Sequence, residues 1–546
     1  MMEFNLKIAG EAGHGLLTFE LGLTEILART GYHFFAIKNY MSRIRGGHNF
    51  HMIRIADEPV HALRGNVWEM VLAFDEEADR RHRSTLGQSG ILIDQIEIQQ
   101  IGQAVQQTFP EPMAVNTVLM GIVLSVIDFD PVRLADVGLP EDRKTMIKEG
   151  FRYAEGKNLA GRYTIKPSFE KFLRFDGNQA LAFGAILGGC QFMAAYPMTP
   201  ATSIMNYFAN AAQDLPIHFE QAEDEIAAVN MVLGASYAGL RAMTATSGGG
   251  FDLMTEGLSL AGITETPLVV IVSQRPGPST GLPTRTEQGD LNLLIHAGHG
   301  EFPRMIFAPG TIMEAIEIAR DAFDLADTLQ CPVLILTDQH LADSIQVLEQ
   351  DVPLSVNQRT CQPYGETYQR YALTQGGLSP LTYPGIGQAL VRVDSDEHGE
   401  DGRITEDLDL RVRMVDKRMK KWKYMEGLSR KPTFCGDPDS EWIILSWGSN
   451  RQIVEEAVWK INQTGIPLAA LHFAQVYPLF PEMVAAWILE QRKIVCLENN
   501  ASGQFAGLLK REFGLKIKHQ LLKYNGECFT VQEVREHLLA IMEVKP

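Results

Sequence analysis

Short apolar runs alternate along the chain with stretches whose apolar positions recur at helical spacing, and glycine or proline separates the two at most switches. The first run, residues 4–9, leads through Gly10-Glu11-Ala12-Gly13-His14-Gly15 into an apolar-periodic helix from 16 to about 30. Further strands are expected at 52–55, 70–74 and 90–93. Strand, glycine turn and helix in that order is the entry to a doubly wound α/β layer. Charges and glycines over 148–157 read as a linker that closes this segment near residue 160.

A second segment opens near Gly177 with a small-residue helix over 178–189, then a strand over 191–195 that delivers Tyr196. Apolar strands recur at 241–246, 268–272 and 333–336. Continuous apolar strands set between helices indicate a parallel sheet covered on both faces. From 346 to 439 the pattern breaks down into glycine, proline and charge, as in a functional arm or a disordered stretch, with a basic helix over 411–423 partly ordering it. The βα pattern returns in a strand over 442–446, a helix over 451–463 and a strand over 493–497. The fold class is therefore α/β, with domains at 1–160, 175–343 and 441–546 and a connecting arm over 344–440.

A chain of 546 residues exceeds what one core fills, in keeping with that division. Its net charge of −18 and pI near 5.3 argue against a nucleic-acid or anionic-membrane surface. No apolar run approaches the roughly 20 residues of a membrane span, and the first residues lack a secretory pattern, so a soluble, cytoplasmic protein is expected. Six cysteines, at 190, 331, 361, 435, 496 and 528, never form C-x-x-C. That spacing holds neither a zinc ribbon nor an iron-sulfur cluster, so no metal is assigned to this chain and any redox centre comes from elsewhere.

Two loops combine proline rigidity with chemistry. Tyr196-Pro197-Met198-Thr199-Pro200 presents a hydroxyl, and Gln274-Arg275 with Pro278-Ser279-Thr280-Gly281-Leu282-Pro283-Thr284 presents a guanidinium. Together they suit an anionic, planar ligand. Thr246-Ser247-Gly248-Gly249-Gly250 is a strand, glycine loop and helix start, which is where α/β sheets bind ligands. Glu225 ends an acidic helix start and leads into small apolar residues, so it enters the core either to serve the helix dipole or for a hydrogen-bonding task. Gly10 to Gly15 reads as a tight turn or a phosphate seat. As a dinucleotide fingerprint it is poor, because Ala12 takes the second-glycine place. Arg43-Ile44-Arg45-Gly46-Gly47 is a surface turn or an anion site. His299-Gly300-Glu301, with His296, and His398 invite a catalytic or metal reading, but Gly298 and Gly300 oppose a rigid ligand pair.

These residues resemble a known family. Gly177-Asn178-Gln179-Ala180, the Tyr196 and Gln274 loops, Glu225-Ile226-Ala227-Ala228, Thr246-Ser247-Gly248, Gln288-Gly289-Asp290 and His299-Gly300-Glu301 are similar to the alpha subunit of 2-oxoacid:ferredoxin oxidoreductases. The first segment resembles that family's gamma domain, Tyr368 to Tyr371 and Ser395 to His398 its arm, and Glu498-Asn499 with Gly503-Gln504 its last domain. Met198, Ala201 and Gly249 depart slightly from the usual pattern, and Ala12 and His14 weaken the gamma-domain loop.

The resemblance implies a gamma-type α/β domain, a doubly wound pyrimidine-binding domain and a transketolase-C-like domain in one chain. It implies oxidation of a 2-oxoacid, favoured as 2-oxoglutarate, with coenzyme A to an acyl-CoA, carbon dioxide and reduced ferredoxin. Carried over by position, Glu225 is the catalytic carboxylate on the thiamine aminopyrimidine, Thr199 and Arg275 bind the substrate, and Tyr196, Pro197, Ser247 and Gly248 lie on the thiamine side. Arg43, Gly46 and Gly47 lie on a coenzyme A side. No Gly-Asp-Gly segment occurs in the chain. The diphosphate and Mg2+ half of the thiamine diphosphate site and the 4Fe-4S cluster are then expected on a beta subunit, in an (alpha-beta)2 assembly that reduces ferredoxin. Pyruvate or branched 2-oxoacids are alternative substrates. A non-catalytic thiamine-type partner-binding subunit and, last, a nicotinamide dehydrogenase are the rival functions.

Overall fold

The computed structural model describes residues 2–41, 47–111, 113–168, 170–349, 351–359, 361–488 and 492–543. Two compact units emerge: Met1–Asp176 with Asp343–Asp351 and Thr530–Val534, and Gly177–Ala342 with Val352–Phe529 and Arg535–Pro546.

The first unit is built on seven strands in the order Leu86–Ile93, Trp68–Ala73, Glu3–Glu11, His48–Ala56, His33–Asn39, Ile345–Leu348, Leu173–Asp176. Glu3–Glu11 runs parallel to Trp68–Ala73 but antiparallel to His48–Ala56, which pairs antiparallel with His33–Asn39. The sheet is therefore mixed, a correction to the doubly wound layer expected from the opening strand, turn and helix. The cause is the short link between His33–Asn39 and His48–Ala56, because a parallel crossover needs about a dozen residues or more. Residues 345–348, expected in the arm, add a strand to this sheet.

The glycine loop behaves as a tight turn. Asp75 Oδ2 accepts the Glu11 N–H at 2.7 Å, and the His14 ring stacks on Phe74. A carboxylate thus occupies ground where a pyrophosphate would need donors.

The second unit holds two sheets. One runs Gln475–Tyr477, Met305–Phe307, Pro332–Asp338, Leu268–Gln274, Ala242–Thr246, Phe192–Ala195, His218–Gln221, all parallel except its first strand. Val270 lies between Thr244 and Leu334 in register and is fully buried with them, as a strand covered on both faces requires. The other, ordered Thr433–Gly436, Ala469–Phe473, Trp442–Trp447, Lys493–Glu498, His519–Leu522, is parallel apart from its first strand. Buried amides tie the two sheets. Gln288 donates to the Trp447 carbonyl at 2.9 Å and accepts from Asn450 Nδ2 at 2.8 Å.

The arm is ordered by charge rather than by apolar period. Helix Gly248–Thr264 ends at Glu265 and helix Ile312–Leu329 at Gln330, both left-handed at φ 50°. Arm cations cover these two carbonyl-rich ends. Arg370 donates to the Glu265 carbonyl at 2.6 Å, and Lys421 to the Gln330 carbonyl at 2.8 Å. Lys417 and Lys421 each stand 2.6 Å from the Glu265 carboxylate, with all three side chains about 1% exposed. The helix dipoles and one carboxylate together balance three cations. Burial raises the Glu265 carboxyl, but Lys421, Lys417 and Arg370 outweigh it and hold the group well below the usual range. Burial brings Lys417 down to about 8 against the pull of Glu265.

Candidate functional site

Three neighbouring parallel strands, Phe192–Ala195, Ala242–Thr246 and Leu268–Gln274, end on the same edge of their sheet. Their carboxyl ends deliver the Tyr196, Ser247 and Arg275 loops side by side. Asn178, fully buried, fixes the first loop by donating to the Pro200 carbonyl at 2.8 Å and to Ser203 Oγ at 2.6 Å. Tyr196 and Pro197 lie exposed at its tip, Tyr196 at 39%.

Glu225 opens helix Glu225–Tyr237, whose cap is the neighbouring Asp224, so the helix start does not need Glu225 for capping. Its side chain is 3% exposed, and Oε1 is buried with no hydrogen-bond partner among the described residues. A carboxylate is left in that condition only where something else supplies a donor. Its wall is backbone: a Cβ at Gly250 would lie 2.6 Å from Glu225 Oε1 and 2.1 Å from Thr246 Oγ1. Gly250 is thus glycine because the carboxylate and the strand end meet over it. Ser247 Oγ, fully buried, likewise has no partner among the described residues.

Arg275 Nη1 donates to the Thr199 carbonyl at 2.7 Å, joining the two loops singled out in the sequence. The described residues occupy no other nitrogen of this guanidinium, leaving it open to a planar oxyanion. The link runs through the Thr199 carbonyl, not its hydroxyl. Burial lowers the arginine's hold on its proton and Asp290 raises it.

Sequence reasoning named Gln288-Gly289-Asp290 as a motif but gave Asp290 no task. Its backbone N–H donates to Gln274 Oε1 at 2.9 Å, and its carboxyl packs on Gly248, where a Cβ would lie 2.4 Å from Oδ2. An acid directly after a glycine at a helix start was the available signal.

Several candidates fall outside this cluster. Arg43 and Gly46 lie outside the described residues. Gly47 belongs to the first unit, at φ 126° beside Met41. In the exposed His299-Gly300-Glu301 segment the His299 N–H donates to Ser259 Oγ, and Arg304 nearby donates to the Leu294 and Ala297 carbonyls that end helix Leu291–His296. His398 is fully buried against the Tyr371 ring at 4.0 Å. Among the described residues no group of three or more His, Cys, Asp or Glu is placed to hold a metal. No described helix is long and apolar enough to cross a membrane.

Residues 183–417 match the family model described as pyruvate flavodoxin/ferredoxin oxidoreductase, thiamine diphosphate-binding, and residues 5–159 match pyruvate ferredoxin/flavodoxin oxidoreductase. A 2-oxoacid:ferredoxin oxidoreductase subunit alpha of Sulfolobus sp. is 32% identical over 99% of this chain and 97% of its own. The chain belongs to that family. A second 2-oxoacid:ferredoxin oxidoreductase alpha subunit, from Saccharolobus solfataricus, is 30% identical over 99% of this chain and 98% of its own. A 2-oxoglutarate synthase subunit of Methanocaldococcus jannaschii is 32% identical over 60% of this chain and 87% of its own. Among solved structures, a 2-oxoglutarate:ferredoxin oxidoreductase from Magnetococcus marinus, with 2-oxoglutarate, coenzyme A and succinyl-CoA bound, is similar at TM-score 0.91, 28% identity and 99% coverage of both chains. This oxidoreductase alpha subunit thus has the α/β fold of its family, works with other subunits and contains a thiamine diphosphate-binding domain.

Proposed function

We propose that this alpha subunit supplies the aminopyrimidine side and the substrate-carboxylate side of a thiamine diphosphate site, and that the enzyme oxidises 2-oxoglutarate to succinyl-CoA. The reading of the site rests on one observation: the buried Glu225 Oε1 over the Gly250 backbone, with no hydrogen-bond partner among the described residues. Glycine backbone beside the carboxylate leaves Oε1 unclaimed by a neighbouring side chain, so that it can hold a proton at a ring nitrogen of a bound heterocycle. Ser247 Oγ offers a second unused polar atom in the strand-end loop. Thiamine diphosphate, when bound, supplies the carbon nucleophile for the 2-oxo group.

Tyr196 and Pro197, exposed at the loop tip, would lie on the thiamine side, and Arg275 with Thr199 would bind the carboxylate and 2-oxo group of the 2-oxoacid. The names of the Magnetococcus and Methanocaldococcus proteins support 2-oxoglutarate over pyruvate or branched acids. A beta subunit carries the diphosphate, the Mg2+ and a 4Fe-4S cluster, in an (alpha-beta)2 complex that passes electrons to ferredoxin. Coenzyme A would approach on the side of Arg43, Gly46 and Gly47.

Co-expressed with its beta subunit, the chain should reduce a viologen dye with 2-oxoglutarate only when coenzyme A is present. No dye reduction with any 2-oxoacid would sink the reading, and faster turnover of pyruvate would overturn the substrate. Arg275→Lys replaces a planar fork by a point charge and should raise the KM for the 2-oxoacid about 10- to 100-fold, with a smaller change in kcat. Initial rates over a range of substrate concentrations check this.

A further inference from the structure

Lys38 and His51 are direct cross-strand partners in the antiparallel pairing of His33–Asn39 with His48–Ala56, so their side chains leave the same face of the first sheet. Both line a cavity of about 330 Å³ whose other walls are the glycine loop and the start of helix Leu16–Arg29. The whole cavity belongs to the first unit.

Each basic side chain is held by an acid that is not part of the cavity wall. Glu20, fully buried, stands 2.8 Å from His51 Nδ1. Asp343 stands 2.8 Å from Lys38 Nζ and accepts from the Tyr40 hydroxyl at 3.3 Å. The carboxylates thus fix the two side chains, and the cavity meets the basic groups. His51 is only 4% exposed, yet the described residues offer its second nitrogen, Nε2, no hydrogen bond. A polar side chain buried in that condition marks a place that something else fills. Asn49 Oδ1 accepts the Met41 N–H at 2.8 Å, which leaves the Nδ2 donors of the same wall unused by the described residues.

We propose that this cavity binds a small carboxylic acid with an apolar body, its carboxylate on His51 Nε2, Lys38 and Asn49 and its chain against Leu16, Leu17 and Met41. Leu17 and Met41 are each 48% exposed, apolar surface that such a chain would cover. A carboxylate on Nε2 sets the imidazole between two acids, the arrangement that favours its doubly protonated form. At about 30 Å³ for each water-sized group, the cavity has room for about ten non-hydrogen atoms. Glu11, the one carboxylate of the wall among the described residues, is exposed on the glycine loop, where it opposes a phosphate but not a single distant acid group. The inference is independent of the thiamine site.

The test is equilibrium dialysis of labelled octanoate against the assembled alpha-beta complex, with 1-octanol and octylamine as neutral and cationic counterparts of equal length. Octanoate should bind saturably and about tenfold more tightly than either counterpart, because only it makes charge-assisted bonds to the basic groups. His51→Phe keeps a ring and removes Nε2. Leu17→Glu places a carboxylate against the ligand from an exposed position in the first helical turn, where an acid is tolerated. Each variant should weaken octanoate about tenfold, and Leu17→Glu decides alone if His51→Phe fails to assemble. No saturable binding by the parent, 1-octanol as tight as octanoate, or a folded variant that binds octanoate like the parent overturns the proposal. So does displacement of octanoate by coenzyme A, which would make the cavity part of the coenzyme's path and not a separate site.

Discussion

Glu225→Gln should lower turnover by about 10²- to 10⁴-fold, the range of a positioned acid–base group. The amide keeps the shape of the side chain and its place over Gly250, so the KM for the 2-oxoacid, governed by Arg275, should change little. It also removes a charge from a position where Oε1 has no partner among the described residues. An uncompensated buried charge costs folding energy, so the variant should melt at the same temperature or higher. Loss of activity with retained or increased stability distinguishes a functional carboxylate from one needed for folding. Steady-state turnover at saturating 2-oxoacid and a thermal melt provide the two readouts. Turnover within tenfold of the parent, or a marked drop in melting temperature, would show that Glu225 is structural.

The second large effect falls on stability. Glu265→Gln leaves the ammonium groups of Lys417 and Lys421, both about 1% exposed, without their shared carboxylate. Breaking a buried pair by removing one partner costs about 3–5 kcal/mol. Lys417→Met should cost less, because Lys421 and Arg370 still meet Glu265 and the methionine fills a similar volume. Chemical denaturation compares the two variants. Limited proteolysis should show Glu265→Gln cut sooner within 352–440, since Arg370, Tyr371, Lys417 and Lys421 are the arm's anchors to the two helix ends. A loss below about 1 kcal/mol would mean that the helix dipoles alone hold the cations.

Much of the parallel sheet and its loops was legible because each carries a local signal. The apolar strands that lead to Tyr196, Ser247 and Arg275 read as parallel, and the Ser247 loop as a strand-end ligand site. The structure brings the three strand ends to one sheet edge and links the Tyr196 and Arg275 loops directly, through the Arg275 contact with Thr199. Asp290 was quoted but not weighed, because its environment is made by Gly248 and Asp252, some forty residues earlier in the chain, and no local pattern reports that. His299 and His398 drew attention as chemistry, yet one lies beside a helix end and the other packs on a ring. A histidine's type does not reveal whether it is buried.

By itself the sequence determined the α/β class, the strand-end loops and the residue types at the candidate site, since apolar period, proline rigidity and glycine permissiveness are local properties. The tertiary structure decided the rest. It made the first sheet mixed, because strand direction follows the length of the connection rather than the composition of the strand. It ordered the arm, because Glu265 meets Lys417 only when the two helix ends present their carbonyls to arm cations, Glu265 to Arg370 and Gln330 to Lys421. It also left Glu225 Oε1, over Gly250, without a hydrogen-bond partner among the described residues. Solvation depends on what packs around a group in space, and that separates a first-turn acid serving a helix dipole from a buried carboxylate with a task.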